Sequence, residues 1–257
     1  MTIIQSVARA LSILDLFDDT TESLSIKEIS NKLDLNKSTV HSLLKTLKHY
    51  GYIRQDEISQ NYSLGWKLYE RGNLVASQID LKSVAARHLK ALNMNTNETV
   101  HLVIRLEQEA LYIDKINGHN SLVIYSRIGK KVPLHSSAVG KVLTAYLPQE
   151  IFNQIFKNYD FKLATARTIT DLDTFQQEIE KVRKQGYAKD NEENELGIIC
   201  LAMPVYNYTN TVVGAVSVST PKTHFTEEKE KEILTYLTAC VEEISSELGY
   251  RKDEKGL

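Results

Sequence analysis

The sequence predicts a two-domain α+β protein. The chain has 257 residues, more than one domain usually contains, so two separate cores are expected. The N-terminal third shows apolar residues at helical spacing followed by a short hairpin, and the remainder shows several strand-like runs bracketed by helices. These patterns predict a small helical domain with a hairpin, followed by a larger sheet with flanking helices.

The composition is that of an ordinary globular protein, with 42% hydrophobic and 25% charged residues. The longest apolar runs, Ile198–Val205 and Val212–Val218, are too short to cross a bilayer as helices, and no signal sequence opens the chain. We therefore expect a cytoplasmic protein. Cys200 and Cys240 have no metal-binding or redox spacing, so we expect no disulfide framework, no metal and no cofactor.

Two helices are expected near the start of the chain. The first spans Ser6–Phe17, where apolar residues recur at steps of three or four. Its apolar stripe consists of Val7, Leu11, Leu14 and Phe17. Ser25 and Glu28 have the spacing of a capping box, which predicts that a second, short helix begins at Ile26.

The third expected helix has two contrasting faces. Asn36 is a good N-cap for this helix. The face expected in the core carries Val40, Leu43, Leu44 and Leu47. The opposite face carries Ser38, His41, Ser42, Lys45 and Lys48 or His49, with Lys37 and Thr39 beside the N-terminus. Because all of these polar side chains can donate hydrogen bonds to phosphates or base edges, the helix fits a DNA major groove.

A hairpin follows the third helix. Tyr52–Arg54 and Tyr62–Leu64 alternate as strands around the polar turn Asp56–Asn61, so the order of elements predicts a winged helix-turn-helix. The net charge of −2 gives no sign of a nucleic-acid partner, but Leu35–Gln55 contains no Asp or Glu. We therefore predict DNA binding, with a solvated surface or a protein-binding module as the alternative. The predicted DNA-binding residues are Asn36, Lys37, Ser38, Thr39, His41, Ser42, Lys45 and Arg54.

The rest of the pattern predicts a linker helix at Leu64–Gln78 and a sheet domain beyond it. Strands are expected at Thr99–Leu106, Leu111–Ile116, Leu122–Ile128, Ile198–Tyr206 and Val212–Thr220. Helices are expected from Leu81, at Ala138–Tyr146, Ile151–Phe156 and Asp171–Gln185, and after the N-cap Thr226. The predicted divisions are 1–65 for the winged helix-turn-helix, 66–79 for the linker helix, 80–250 for the sheet domain and 251–257 for a flexible tail.

Several sequence blocks resemble the IclR family of transcription regulators. The N-terminal blocks are Gln5–Leu11, Leu33–Val40, Gly51–Ile53 and Tyr62–Gly65. The C-terminal blocks are Gly129 with Val132–Ala138 and Gly140–Leu143, the motif residues within Gly186–Val205, and those within Gly214–Pro221. This resemblance covers nearly the whole chain. It implies that the sheet domain is a GAF-like effector-binding domain, with a mixed sheet, and that the protein is a transcription regulator, commonly a repressor, whose operator affinity a small molecule modulates.

The resemblance also implies an effector site over one face of the sheet. Ser137 and Ala138 would hold the anionic end of a ligand at the start of a helix, where free N–H groups and the dipole favour an anion. The remaining effector-binding residues carried over are Asp190, Cys200, Ser217 and Ser219. A small organic acid or sugar acid is therefore the expected effector.

The resemblance further implies a homodimer or tetramer, because family members use the linker region in dimer contacts. Two winged helices would read the two half-sites of a near-palindromic double-stranded operator. A simpler role for the linker aromatics is to cover the hairpin. Three positions depart from the family pattern: Ser137 stands where Thr is common, Asn210 where Gly is common, and His224 where Arg is common. Asn tolerates a left-handed backbone, so the turn at Asn210 should be preserved.

Each proposed effector residue also has an ordinary structural explanation. Cys200 lies in an apolar run typical of strand core, Asp190 would cap a turn, and Ser217 and Ser219 would satisfy neighbouring polar groups. The acidic cluster that follows, Glu192, Glu193 and Glu195, is typical of a solvated loop.

The competing function is an enzyme in which Cys200 is the nucleophile and His135 or His101 the base. The sequence contains no nucleophile elbow, phosphate-binding loop or metal motif, and an enzyme would leave the winged helix without a function.

Overall fold

The computed structural model describes residues 3–18, 20–77, 80–118 and 126–251. The chain divides into two units, Met1–Ile79 and Asp80–Leu257. The strand expected at Leu122–Ile128 and the tail expected at 251–257 lie largely outside the described residues. None of the helices in the described ranges is long and apolar enough to cross a membrane.

The N-terminal unit is the winged helix-turn-helix that the sequence predicts. Its elements are α1 (Gln5–Leu14), α2 (Ile26–Leu33), α3 (Lys37–His49), β1 (Ile53–Gln55), β2 (Tyr62–Leu64) and α4 (Trp66–Ser77). The strands β1 and β2 pair antiparallel as the hairpin. Leu24 adds a third strand position, because its N–H and C=O bond to Tyr62 at 2.9 and 2.8 Å.

Local sequence signals fix the turn between α2 and α3. The capping box is present, since the Ser25 hydroxyl accepts from the Glu28 N–H while the Glu28 carboxylate accepts from the Ser25 N–H. Asp34 ends α2 in the left-handed conformation at φ 51°, which Asp tolerates better than most residues. The buried core of this unit is Ile13, Leu24, Ile29, Val40, Leu44, Leu47, Ile53 and Tyr62, so the predicted inner face of α3 is confirmed.

Two details of the N-terminal unit differ from the sequence prediction. In the first helix, Val7 and Leu11 are 53% and 56% exposed. The α1 residue that is fully buried in the core is instead Ile13, on a different face of the helix. Asn36 occupies the N-cap position of α3, but its side chain makes no capping hydrogen bond.

The second unit is built around one six-stranded sheet. Its helices are α5 (Asp80–Thr96), α6 (Ala138–Ala145), α7 (Gln149–Phe156), α8 (Leu172–Gln185) and α9 (Glu227–Glu247). Its strands are β3 (Thr99–Leu106), β4 (Glu109–Ile116), β5 (Lys131–Pro133), β6 (Ala188–Asn191), β7 (Ile198–Tyr206) and β8 (Val212–Pro221). The strand order is β5-β4-β3-β8-β7-β6.

Helices cover both faces of this sheet. On one face α6 packs on β7 and β8 and also contacts α8, whereas α5 and α9 pack together and against strands on the other face. Thr226 is the N-cap of α9, as predicted, and accepts from the Lys229 N–H. Asp171, at the predicted start of α8, is also an N-cap and accepts from the Thr174 N–H. The predicted sheet flanked by helices is thus confirmed.

Two features of the sheet depart from expectation. Every pairing among the described strands is antiparallel, whereas a mixed sheet was expected, because the pairs β3–β4 and β7–β8 are hairpins with short turns. The edge strands β5 and β6 were not predicted. In the β7–β8 turn Asn210 has φ 57°, as expected for a residue replacing Gly.

Candidate functional site

The outer face of α3 is exposed and holds the polar residues predicted to contact DNA. Of the predicted set, Thr39 is half-buried and the other seven residues are exposed. The first turn of α3 contains no acidic residue, so the positive end of its dipole is not neutralised from within the helix. The Ser42 hydroxyl donates to the Ser38 carbonyl at 3.0 Å, which leaves the lone pairs of Ser42 to accept from a ligand.

The hairpin is tied to α3 and to itself by polar side chains. Lys48 Nζ donates to Gln55 Oε1 at 3.0 Å, and Arg54 Nε donates to Ser63 Oγ at 2.9 Å across the hairpin. The hydrogen bond from Nε to Ser63 positions the guanidinium group of Arg54, which lies on an exposed strand. α3 and Arg54 therefore belong to one folded unit that can present both to a duplex.

The second unit contains a cavity of about 430 Å³ over the sheet. It is lined by His101, Tyr112, Ser126, Lys130, Lys131, Val132, Pro133, Asp190, Asn194, Glu195, Ile198, Cys200 and Ser219. Its size lies within the range of small-molecule sites.

Strand register explains why these residues meet. Asp190, Cys200 and Ser219 are direct partners across β6, β7 and β8, so their side chains share one row and one face. In the next row of the same face, Ser217 is the partner of His101 on β3. The cavity face of the sheet is therefore polar along several strands.

The carboxyl group of Asp190 is buried at the β6 end of the cavity. Its Oδ1 accepts from the N–H groups of Glu193 at 2.7 Å and Asn194 at 3.3 Å. Burial raises the pKa of Asp190 to about 7, with the neighbouring Glu193 adding to the rise. Asp190 is thus poised to exchange a proton near neutral pH.

The side chain of His101 is buried between two hydroxyl groups. Its Nε2 lies 2.7 Å from Ser126 Oγ, and its Nδ1 lies 3.4 Å from Ser217 Oγ. Burial, with a smaller contribution from Lys115, lowers the pKa of His101 to about 3, so the imidazole is neutral at physiological pH. Ser217 contacts His101, which lines the cavity, but Ser217 itself is not among the lining residues.

Ser137 and Ala138 lie at the N-terminus of α6, as predicted, but are not among the residues that line the cavity. The Ser137 hydroxyl donates to the Pro133 carbonyl at 2.6 Å and accepts from the Gly140 N–H, so it caps the helix. A Cβ on Gly140 would lie 2.5 Å from Leu134 Cα. This close approach seats α6 against the segment that contributes Pro133 to the cavity.

A buried lysine fixes the loop that follows β6. Lys141 is 1% exposed, and its Nζ donates to Glu193 at 2.7 Å, to the Lys189 carbonyl at 2.9 Å and to Glu178 at 3.1 Å. Glu192 and Glu193 are buried, so the solvated-loop interpretation is wrong for both. The loop that contains Asn194 and Glu195 is therefore bound to α6 through Lys141, which also pairs with Glu178 of α8.

The cysteine and histidines of the enzyme hypothesis are not hydrogen-bonded to one another. Cys200 Sγ lies 3.1 Å from Ser219 Oγ, whereas His135 contacts the Tyr159 hydroxyl and the Lys162 carbonyl, both at 3.1 Å. Burial of the thiol and the nearby Asp190 raise the pKa of Cys200, which disfavours the thiolate that a nucleophile requires.

Three of the six predicted effector residues line the cavity, namely Asp190, Cys200 and Ser219. Sequence reasoning missed His101, Tyr112, Ser126, Lys130, Lys131, Asn194 and Glu195 as lining residues. One signal was available for His101. Thr99 and His101 alternate with apolar residues along a strand that is buried throughout this stretch, and polar residues on one buried face are typical of a ligand site.

The chain matches two family models. Residues 6–57 match the model described as IclR helix-turn-helix domain, and residues 73–246 match the model described as Bacterial transcriptional regulator IclR C-terminal. The two matches together cover most of the chain and agree with the two units of the structure.

Similar proteins include two from Escherichia coli strain K12. The HTH-type transcriptional regulator XynR is 44% identical over 220 residues, which are 86% of this chain and 87% of XynR. The HTH-type transcriptional regulator KdgR is 37% identical over 247 residues, which are 96% of this chain and 94% of KdgR. The crystal structure of Thermotoga maritima IclR has a TM-score of 0.79 at 36% identity, and the match covers 96% of this chain and 99% of that one.

Proposed function

The chain belongs to the IclR family of bacterial transcriptional regulators, and on that premise we propose that it is a repressor controlled by a small organic acid or sugar acid. The observation that carries the proposal is the combination of an exposed, acid-free face on α3 with a polar cavity in the second unit. The first feature suits operator DNA and the second suits an effector.

For operator recognition, we assign the exposed face of α3 to the major groove. Ser38 and His41, in the first turns, would contact base edges, while Lys37 and Lys45 would contact phosphates. Arg54 on the hairpin would contact the backbone beside the groove. Such a regulator acts on the chromosome, so we propose a cytoplasmic location.

We propose that the active form is a homodimer, or a tetramer formed by two such dimers, on a near-palindromic operator. Large apolar side chains are exposed on both terminal helices of the N-terminal unit. On α1 these are Val7 and Leu11, and on α4 they are Trp66 at 71% exposure, Tyr69 and Leu74. Exposure of Trp66 and Tyr69 argues against the simpler role of covering the hairpin, and aromatic residues are enriched in protein interfaces.

For the effector, we propose the cavity over the sheet as the binding site. Lys130 supplies positive charge, while Asp190, Cys200 and Ser219 line the β6 end. The family resemblance implies an anion site at the N–H groups of Ser137 and Ala138, which do not line the cavity but start α6 next to the segment that contributes Pro133 to it. We propose that effector binding changes the spacing of the two recognition helices in the dimer. This shifts operator affinity only if the effector binds the two spacings with different affinities.

The test is a fluorescence-anisotropy titration of the full-length protein on DNA from its own upstream intergenic region, with shuffled DNA as the reference. We expect tight binding that prefers the native sequence and weakens steeply with salt, because phosphate contacts release counterions. Binding that is insensitive to salt, or equal on both DNAs, would contradict an operator-binding role.

Point variants in the same titration separate the roles of the α3 residues. Lys45→Ala should weaken binding to all sequences alike and lower the salt slope, by about one for a phosphate contact. His41→Ala should change sequence preference. The matched control is Lys184→Ala, because Lys184 is exposed on α8 in the other unit and should leave both properties unchanged.

A further inference from the structure

His101 is a buried histidine whose hydrogen-bond partners are hydroxyl groups. The side chain is 1% exposed, yet both ring nitrogens face hydroxyl groups and neither faces a carboxylate. Its ring also packs on Tyr112, with centroids 4.8 Å apart. Because Ser217 is its partner across β3 and β8, the position of the ring is set by the sheet itself.

The chain of groups Ser217–His101–Ser126 can hydrogen-bond in either direction. A neutral imidazole has one donor nitrogen and one acceptor nitrogen, and each serine hydroxyl can donate or accept. If His101 Nε2 accepts from Ser126, the Ser126 oxygen can accept from a ligand. If Nε2 carries the proton and donates, the Ser126 hydrogen can turn to a ligand instead.

This reversibility fits an alcohol better than a carboxylate or an apolar group. A ligand hydroxyl both donates and accepts, so it satisfies the chain in either state, whereas a carboxylate only accepts. Asn194 and Ser219, elsewhere on the cavity wall, likewise offer both donor and acceptor atoms. Buried polar groups of this kind are left unpaired by a ligand that lacks hydroxyls, which penalises that ligand.

We propose that His101 is a specificity-determining residue that selects a hydroxylated acid over an unsubstituted carboxylic acid of the same length. Ser126 presents the hydrogen bond to the ligand beside it, and Ser217 is a positioning residue that acts through His101. This inference rests on the proposed function of the cavity as the effector site.

The experiment is calorimetric titration of the full-length protein with two probes, D-gluconate and hexanoate, which share a chain length and a carboxylate. His101→Leu removes both nitrogens, while His101→Gln places an amide nitrogen near the Nε2 position. Ser126→Ala provides a second variant at the surface of the same site. His224→Leu, at an exposed position outside the cavity, is the matched control.

We expect the unmodified protein to prefer D-gluconate. His101→Leu should weaken D-gluconate binding about tenfold or more while hexanoate binding changes little, because two hydrogen-bonding atoms are lost. His101→Gln should restore part of the preference. Ser217→Ala should reduce the preference in the unmodified background and have no further effect in His101→Leu, as expected for a residue acting through His101.

Two results would overturn the inference while leaving the effector site intact. One is an equal loss of affinity for both acids in His101→Leu and Ser126→Ala, which would indicate a structural role. The other is an unchanged preference in both variants. Binding of neither probe by the unmodified protein would instead contradict the proposed organic-acid effector, and the specificity assignment with it.

Discussion

Asp190→Asn should make the second unit more stable than the unmodified protein by an amount that grows with pH. The substitution keeps the oxygen that accepts from the Glu193 and Asn194 N–H groups but removes the ionisable proton. Burial raises the pKa of Asp190 from its ordinary value of 3.8 to about 7 in the folded protein. Between these values the folded side chain is protonated, whereas the unfolded one is ionised.

The folded state therefore binds more protons than the unfolded state, and stability must fall as the pH rises through this window. Each pKa unit corresponds to about 1.4 kcal/mol, so the gap between variant and unmodified protein should widen by about 2 kcal/mol from about pH 5 to about pH 7, where the folded Asp190 is half ionised. Above about pH 8 Asp190 is ionised in both states, and the gap should become constant.

Urea unfolding at several pH values measures this gap. Circular dichroism follows both units, and the fluorescence of Trp66 identifies the transition of the N-terminal unit. Asp160→Asn, at an exposed position on the second unit, is the reference variant for replacing a carboxyl group with an amide. A gap for Asp190→Asn that does not change with pH would refute the argument that burial suppresses ionisation.

The protonation of Asp190 should also govern the affinity for an anionic ligand. If an anion binds only when Asp190 is neutral, its affinity should fall by up to about 30-fold between about pH 5.5 and about pH 8.5. Asp190→Asn should remove this dependence. D-gluconate titrations at the two pH values check both statements, and a dependence that persists in the variant would assign it to another group.

Three further predictions concern residues that support or line the cavity. Lys141→Met should cost about 3–5 kcal/mol of unfolding free energy, because it leaves the buried Glu193 carboxylate without its charged partner, and adding Glu193→Gln should recover part of that loss in urea unfolding. Gly140→Ala should destabilise by about 1–3 kcal/mol, whereas Gly72→Ala, with no atom near its Cβ position, should not destabilise in the same assay. Iodoacetamide should leave Cys200 unmodified in the native protein at neutral pH, as judged by mass spectrometry, and rapid alkylation would reopen the enzyme hypothesis.

The sequence predicted those parts of the fold that depend on short-range patterns. The capping box at Ser25 and the inner stripe of α3 need only neighbouring residues, and both are confirmed. The edge strands β5 and β6 were missed because they are only 3 and 4 residues long and carry polar side chains. Their strand character comes from pairing with a long neighbour, and a local pattern contains no such information.

The candidate site was harder to predict than the fold. Family resemblance pointed to Asp190, Cys200 and Ser219, and these line the cavity. His101 and Ser217 are 116 residues apart, so their contact depends on the register of β3 against β8. Without that register, Ser217 was assigned directly to the ligand, whereas in the structure it contacts His101.

The pairing of β3 with β8 has a consequence for synthesis of the chain on the ribosome. The first unit is complete once residues 3–77 have emerged, because its core uses no later residue. The sheet, by contrast, stays open until Val212–Pro221 arrives to join β3 to β7. A nascent chain therefore passes through a stage in which the domain that would contact DNA is folded and the domain that would respond to a metabolite does not yet exist.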